Sequence, residues 1–485
     1  MPWHSMPGFE HLFMALTAVS MLMFRARYIP LALAPILSLG AACQTDTVAC
    51  QQDSDCFLNE RCSAGFCEAR PSVEPDAGND AAVPDDLDAE DDTADALPQP
   101  PDLTTLCPPS QRPAESGDHT PNVVALAPTH ACAIDVSGRL FCWGDNARGQ
   151  LGDGTLDPQR VPTRVAPACY WNRIDIAGET TCAITIDDQL FCWGDNRFGQ
   201  LGQGDFEDRP YPVLIPGEWS SVSVGPDRVC ARDNAGDTWC WGNNGTRRNL
   251  LGAENLNPRE PSPVKVIADF YAIDITLGNA HTCAVHREDR QLYCWGDNLQ
   301  NQIGPELGSA GSATPFFTMR NFTWQHISAA GDHTCGVLLG NDDRNMYCWG
   351  DDAAPYGLVA PDSEEAPHYI GADGHFGWTI FTSTTHTCSI DFNIENQTYG
   401  GMMCWGENAS GQAVPDTNAL VVETPQSVSL PDSDVYFAAV TDGVSCALSG
   451  FPQQLRCWGS NEHGLLATGD TEPREGLVAI SLEPR

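Results

Sequence analysis

One triplet returns seven times in this chain: Cys-Trp-Gly, ending at Gly144, Gly194, Gly242, Gly296, Gly350, Gly406 and Gly459. Successive tryptophans are 50, 48, 54, 54, 56 and 53 residues apart. A period of that size marks a repeat architecture, in which each unit cannot bury its apolar face alone and stacks on its neighbours. Within a unit the pattern is short and alternating. Ile174-Asp175-Ile176 and Thr181-Cys182-Ala183-Ile184 precede a polar turn at Asp187-Asp188, then Gln189-Leu190-Phe191-Cys192-Trp193 follows. β-Branched and aromatic residues between Gly, Asp and Asn turns read as half-buried strands, with no helical periodicity between them. Trp171, Trp219 and Trp324 sit at similar offsets upstream, and Pro-containing segments such as Tyr211-Pro212-Val213 open a further strand. Three or four strands in each of seven units predict an all-β, seven-bladed β-propeller. Placing the last segment, Gly476 to Leu482, in the first blade would close the ring and remove two sheet edges.

A second cysteine precedes each Cys-Trp-Gly: Cys132 with Cys142, Cys182 with Cys192, Cys230 with Cys240, Cys283 with Cys294, Cys335 with Cys348, Cys388 with Cys404, Cys446 with Cys457. Two strands joined by a short turn set such positions opposite each other, within the span of a disulfide. With 21 cysteines and no Cys-x-x-Cys pair, the chain reads as disulfide-bonded in an oxidising compartment, without a metal or other cofactor. Cys50, Cys56, Cys62 and Cys67 form a small cysteine-rich module whose connectivity stays open among three possibilities. Cys107 and Cys169 remain to pair with each other, and Cys43 is left over.

The N-terminal part supplies a fate for Cys43. Arg25 and Arg27 precede an apolar run, Tyr28 to Leu39, that ends in Gly40-Ala41-Ala42. This is the form of an export signal, with Met21 or Met23 as an alternative start, and it resembles a bacterial lipoprotein signal in which Cys43 is acylated. Residues 71–102 hold eleven acidic and no basic side chains, the composition of an extended tether. The expected organisation is a targeting segment (1–42), a cysteine-rich module (43–70), an acidic linker (71–106) and the propeller (107–485), in a monomer at the outer membrane or cell surface, or secreted.

Formal net charge is −40 and Lys265 is the single lysine, so nucleic acid and anionic membrane surfaces are repelled and membrane contact is left to the lipid. Catalytic signatures are absent: no Gly-x-Ser-x-Gly and no His-Glu-x-x-His. His130, His281, His333 and His386 each stand two residues before a strand cysteine, which favours structural hydrogen bonds over a metal ring. Asp145, Asn146, Asp195, Asn196, Asp297 and Asn298 follow Trp-Gly as turn formers rather than calcium ligands.

The pattern Gly-x-x-His-Thr-Cys-Ala, then Leu-x-Cys-Trp-Gly-x-Asn-x-x-Gly-Gln-Leu-Gly, resembles the regulator of chromosome condensation repeat. Residues 129–152, 178–202 and 278–304 carry it most fully. The resemblance implies a seven-bladed propeller. In the founders of the family it implies guanine-nucleotide exchange on a small GTPase and docking on chromatin; exported bacterial members look like protein-binding modules. Acidity and cysteine content favour the latter, a non-catalytic binder of a protein partner, over an exchange factor or a polysaccharide lyase. Repeats four to six carry long insertions that bring Phe316, Phe317, Tyr356, Tyr369, Phe376 and Trp378 into irregular segments, the expected partner-binding residues.

Overall fold

The computed structural model describes residues 60–63, 66–69, 103, 107, 121–245, 249–254, 256–267, 270–320, 322–340, 345–351, 368–370, 377–393, 398–432 and 434–483. The expected signal, Cys43, Cys50, Cys56, the acidic linker apart from Leu103, Tyr356 and Phe376 lie outside the described residues, as does the side chain of Trp378. The chain divides into two units, Met1–Asp92 and Thr93–Arg485. In the first, Glu60–Ser63 pairs with Phe66–Ala69 as an antiparallel hairpin, with Cys62 opposite Cys67.

The second unit is a propeller of seven four-stranded antiparallel sheets, each in simple sequence order. Blade 1 is Pro121–Leu126, His130–Asp135, Leu140–Gly144 and Gln159–Val165. Blade 2 is Trp171–Ala177, Thr180–Thr185, Leu190–Gly194 and Arg209–Ile215. Blade 3 is Trp219–Val224, Arg228–Asp233, Thr238–Asn243 and Arg259–Lys265. Blade 4 is Ala272–Leu277, His281–His286, Leu292–Gly296 and Ser312–Thr318, and blade 5 is Trp324–Ala330, His333–Leu338, Met346–Gly350 and His368–Ile370. Blade 6 is Gly377–Thr382, His386–Asn393, Thr398–Glu407 and Val421–Ser427, and blade 7 is Val435–Thr441, Val444–Ser449, Gln454–Gly459 and Val478–Ile480. The hairpin of second and third strands carries the disulfide in every blade, with Cα–Cα distances of 4.0–4.1 Å. That is shorter than the roughly 4.5 Å of an unbridged, non-hydrogen-bonded pair. Cys107 is bonded to Cys169.

The repeated residues join blades rather than fill them. Trp193 of blade 2 donates its indole N–H to the backbone oxygen of Gln150 in blade 1, at 2.9 Å. Trp241 does the same to Gln200 at 2.8 Å, Trp295 to Leu250 at 2.8 Å and Trp349 to Gln302 at 3.0 Å. Around that bond the glycines of Gly-Gln-Leu-Gly give close approach. A Cβ on Gly149 would stand 2.3 Å from Cα of Pro210 in blade 2, and one on Gly152 would stand 2.5 Å from the Trp193 indole nitrogen. The seven tryptophans of the triplet are essentially inaccessible to solvent for this reason.

Closure differs from expectation. Val478–Ile480 is the fourth strand of blade 7, paired to Leu455–Cys457, and blade 1 is complete with Pro121–Leu126 as its own first strand. The ring is shut by the same packing as the seams entered by blades 2 to 5. Trp143 donates to the Leu465 carbonyl at 2.9 Å, and Phe141, Trp143, Leu465, Leu466, Ile480 and Leu482 share one buried cluster. Asp145, paired with Arg160 of its own blade at 2.8 Å, adds a contact across the seam to His463 at 2.5 Å. No strand exchange is needed, because side chains bury the seam. The outer edges that remain are blunted by proline at 162, 210, 212, 261, 263, 315 and 425, or in blades 5 and 7 by length, three residues each.

Candidate binding surface

Antiparallel order puts the first-to-second turns and the long third-to-fourth loops at one end of the propeller. The second-to-third hairpin turns and the blade-to-blade connectors lie at the other. The recurrent polar residues crowd the loop end and are all engaged. His130 Nε2 meets Thr181 Oγ1 of the next blade at 2.9 Å, and Thr181 donates to the Gln150 carbonyl at 2.8 Å. His281 with Thr334 and His386 with Ser445 repeat the arrangement at 2.8 and 2.7 Å. Burial holds His130, His281, His333 and His386 down at about 3, so they are neutral. In blade 3 the place is taken by Arg228, which donates to the carbonyls of Gly278 and His281 at 2.8 and 2.6 Å.

The asparagines organise the long loops. Asn146 accepts from the Leu151 N–H at 3.0 Å and donates to the Thr155 and Asp157 carbonyls, and Asn196 and Asn298 repeat this with Leu201 and Ile303. Asp195 holds Arg197 and Gln200, at 2.8 and 2.9 Å. Among the described residues no group of three His, Cys, Asp or Glu side chains could hold a metal ion.

A cavity of about 500 Å³ lies in the central channel, lined by first strands of all seven blades. Its polar groups are spent on adjacent strands. Asp175 accepts from the Val224 N–H at 2.7 Å, Thr276 from Ala329 at 2.7 Å and Ser328 from Thr382 at 3.0 Å. Enclosure at this wall pushes the Asp175 carboxyl up to about 7, against the opposing effect of two backbone N–H donors.

The rim toward the hairpin end departs from the repeat. Phe316 and Phe317 lie in the regular fourth strand of blade 4, opposite Cys294 and Tyr293, not in an irregular insertion. Tyr369 lies in the fourth strand of blade 5, opposite Tyr347. The insertion is absorbed before the strand instead: Pro305–Ala310 forms a 3-10 helix, and Glu306 ties it down by accepting from Thr318 Oγ1 at 2.6 Å and Met319 N at 2.7 Å. Phe317 stacks on Tyr293 with centroids 5.5 Å apart and carries the Arg320 guanidinium at 5.4 Å. Tyr369 leans on Tyr347 at 5.7 Å and remains 59% exposed. The same register position holds Arg164, Leu214, Lys265, Ser427 and Ala479 in the other blades. The structure therefore brings Phe317 and Tyr369 to equivalent places on neighbouring blades. Phe316 points to the other side of its strand.

Sequence reasoning missed a second rim feature, a groove of about 790 Å³ between blades 2 and 3 bordered by Leu214, Pro216, Trp219, Trp239 and Pro263. The available signal was the connector at 216–218, the shortest of those joining successive blades.

These elements define a disulfide-clamped propeller whose repeated motif is consumed at blade seams. The repeat itself is identified: residues 137–183 and 187–231 match the regulator of chromosome condensation (RCC1) repeat, and 272–302 match a second form of it. Over 359 residues, 71% of the chain, it is 30% identical to the E3 ubiquitin-protein ligase HERC2 of Homo sapiens, of which it spans 7%. Over 373 residues it is 25% identical to Protein pim1 of Schizosaccharomyces pombe, covering 68% of this chain and 67% of that one. Prp20p from Saccharomyces cerevisiae, a protein with binding properties toward Gsp1p and histones, shares the fold with a TM-score of 0.59 and 17% identity over 72% of this chain and 87% of its own. Human WBSCR16 does so with a TM-score of 0.57 and 18% identity, over 69% and 88%. Eight disulfides in the described chain belong to an oxidising environment, and among the described residues no helix is long and apolar enough to cross a membrane.

Proposed function

We propose that the chain is an exported, non-catalytic propeller that binds a protein partner through its hairpin-end rim. Cys43 carries the lipid, the cysteine-rich module at 43–70 stands next to it, and the acidic linker at 71–106 holds the propeller away from the membrane. The observation that carries the reading is the placing of Phe317 and Tyr369. They are aromatic side chains at equivalent places on neighbouring blades, Tyr369 exposed and Phe317 half-buried against Tyr293 and Arg320, on outer strands whose backbone is fixed by a disulfide-clamped blade. Exposed aromatics on a rigid support favour recognition, since little side-chain entropy is lost on contact. The resemblance to Prp20p, HERC2 and pim1 supports a binding or regulatory role in general. An exchange activity is not favoured, because it belongs to a reducing cytosol where these disulfides would not persist.

The test is capture of surface proteins from the native host by the purified full chain, followed by crosslinking and mass spectrometry. The Phe317→Ala and Tyr369→Ala chain should lose the captured partner while keeping its unfolding midpoint. Capture unchanged by both substitutions contradicts the assignment of this rim.

A further inference from the structure

We propose that the groove between blades 2 and 3 receives an aromatic side chain from an extended segment of the partner, with a basic residue beside that ring held by Glu218. The proposal rests on the protein-binding reading and names the chemistry of what is bound.

In blades 2, 4 and 5 the residue before the third-strand cysteine is aromatic and is covered by a ring from the same chain. Trp171 covers Phe191 at 5.6 Å, Phe270 covers Tyr293 at 5.5 Å and Phe322 covers Tyr347 at 5.2 Å. Blade 3 has Trp239 at this place, and no ring covers it among the described residues. Phe270 and Phe322 come from the connectors at 266–271 and 319–323, each two residues ahead of its first strand. The matching residue of blade 3, two ahead of Trp219, is Gly217, in a connector of only 216–218. The groove is the space that the two phenylalanines fill elsewhere. An aromatic ring supplied by a partner meets the same kind of surface.

The site is built before the ligand arrives. Trp239 donates its indole N–H to Asp233 Oδ2 at 2.9 Å, and Asp233 Oδ1 accepts from the Asp237 N–H at 2.9 Å, so the indole plane is set. Preorganisation of this kind lowers the cost of binding. Charge chooses the neighbour. Lys265 is occupied by Asp237 at 2.7 Å, Asp188 takes the Asn234 amide at 3.0 Å, and the exposed Glu218 carboxylate has no hydrogen bond or ion pair among the described residues. Arg287 stands by Gly236, with Arg173 and Arg232 close by, but the border of the groove itself carries Glu218 and Asp233 and no cation, and the unpaired Glu218 there favours a cationic side chain and disfavours an acidic one. The flanking outer strand contains Pro261 and Pro263, which donate no N–H, so strand addition along that edge is blocked and side chains must carry recognition.

The experiment titrates the full chain with three acetylated peptides, Pro-Arg-Phe-Pro, Pro-Arg-Ala-Pro and Pro-Glu-Phe-Pro, following indole fluorescence and heat. The first should bind, and each of the others should bind at least about tenfold more weakly, a difference of about 1.4 kcal/mol. Trp239→Ala should abolish the fluorescence response. Glu218→Lys, a change on an exposed side chain, should reverse the preference between the Arg and Glu peptides. Equal affinity for the Phe and Ala peptides, indifference to Glu218→Lys, or no binding at millimolar peptide overturns the proposal. So does a neutral oligosaccharide that gives the indole response in place of the peptides. None of these results touches capture dependent on Phe317 and Tyr369, so this proposal and the protein-binding reading fail separately.

Discussion

Trp239 and Trp241 stand two residues apart on one strand and face the same side of blade 3, yet they belong to different regions of the molecule. Trp241 is wholly buried, bonded to the Gln200 carbonyl of blade 2 and packed at 6.0 Å on Trp219. Trp239 is half-buried over the groove and answers to a carboxylate of its own hairpin. The position of Trp241 is tryptophan in all seven blades. That of Trp239 is filled by Phe141, Phe191, Tyr293, Tyr347, Met403 and Arg456 in the others. A residue whose partner lies in the preceding blade is constrained by a second copy of the repeat. A residue at the rim is constrained only by its own blade, and there the chain is free to become specific.

The largest effect separating seam from rim is expected from acid. His130, His281, His333 and His386 keep folded-state values near 3, whereas an unfolded histidine titrates near 6.5. Below 6.5 the unfolded chain binds protons that the folded chain refuses, so stability falls as pH drops toward 3 and is level above about 7. Asp175, raised to about 7, acts in the opposite sense: its contribution is full below about 3.8 and is lost as pH rises through 7. Four groups outweigh one. Thermal unfolding with disulfides intact should show a lower midpoint at pH 4.5 than at pH 7.5; an equal or higher one contradicts the buried neutral state.

Single substitutions come next. Trp241→Ala empties a site shared by two blades and should cost about 3–5 kcal/mol in denaturant unfolding. Removing one clamp, with Cys230→Ser and Cys240→Ser together, should cost about 2–3 kcal/mol, since the closed loop is short and the hairpin register is also fixed by backbone pairing. If the clamp proved costlier than the tryptophan, crosslinks rather than seams would be holding the ring.

Much of the seam was legible in the sequence, because it repeats. Seven Cys-Trp-Gly triplets define the blades, and the seven hairpin disulfides and the Cys107–Cys169 bond follow from spacing and count. The closing strand was misplaced, since Val478–Ile480 looks like an orphan until Leu465 is seen to serve Trp143 as Gln150 serves Trp193. Phe316 and Phe317 read as insertion residues because the extra length before them, 305–311, hides the start of a regular strand. The groove was invisible for a different reason. It is made by what Gly217 lacks, and an absent ring leaves a mark only when three connectors are aligned on their first strands.

The smallest stability effect should come from Trp239→Ala, below about 1.5 kcal/mol, because a half-exposed ring over an open groove loses little burial and leaves no closed cavity. Asp233 keeps its bond to the Asp237 N–H and can turn its other oxygen to water, so no buried acceptor is stranded. The same denaturant experiment that measures Trp241→Ala measures this one. A cost equal to that of Trp241→Ala would mean that Trp239 is a seam residue and that the groove is a packing defect. A small cost, together with a lost response to the Arg-Phe peptide, separates binding from folding within one six-residue strand.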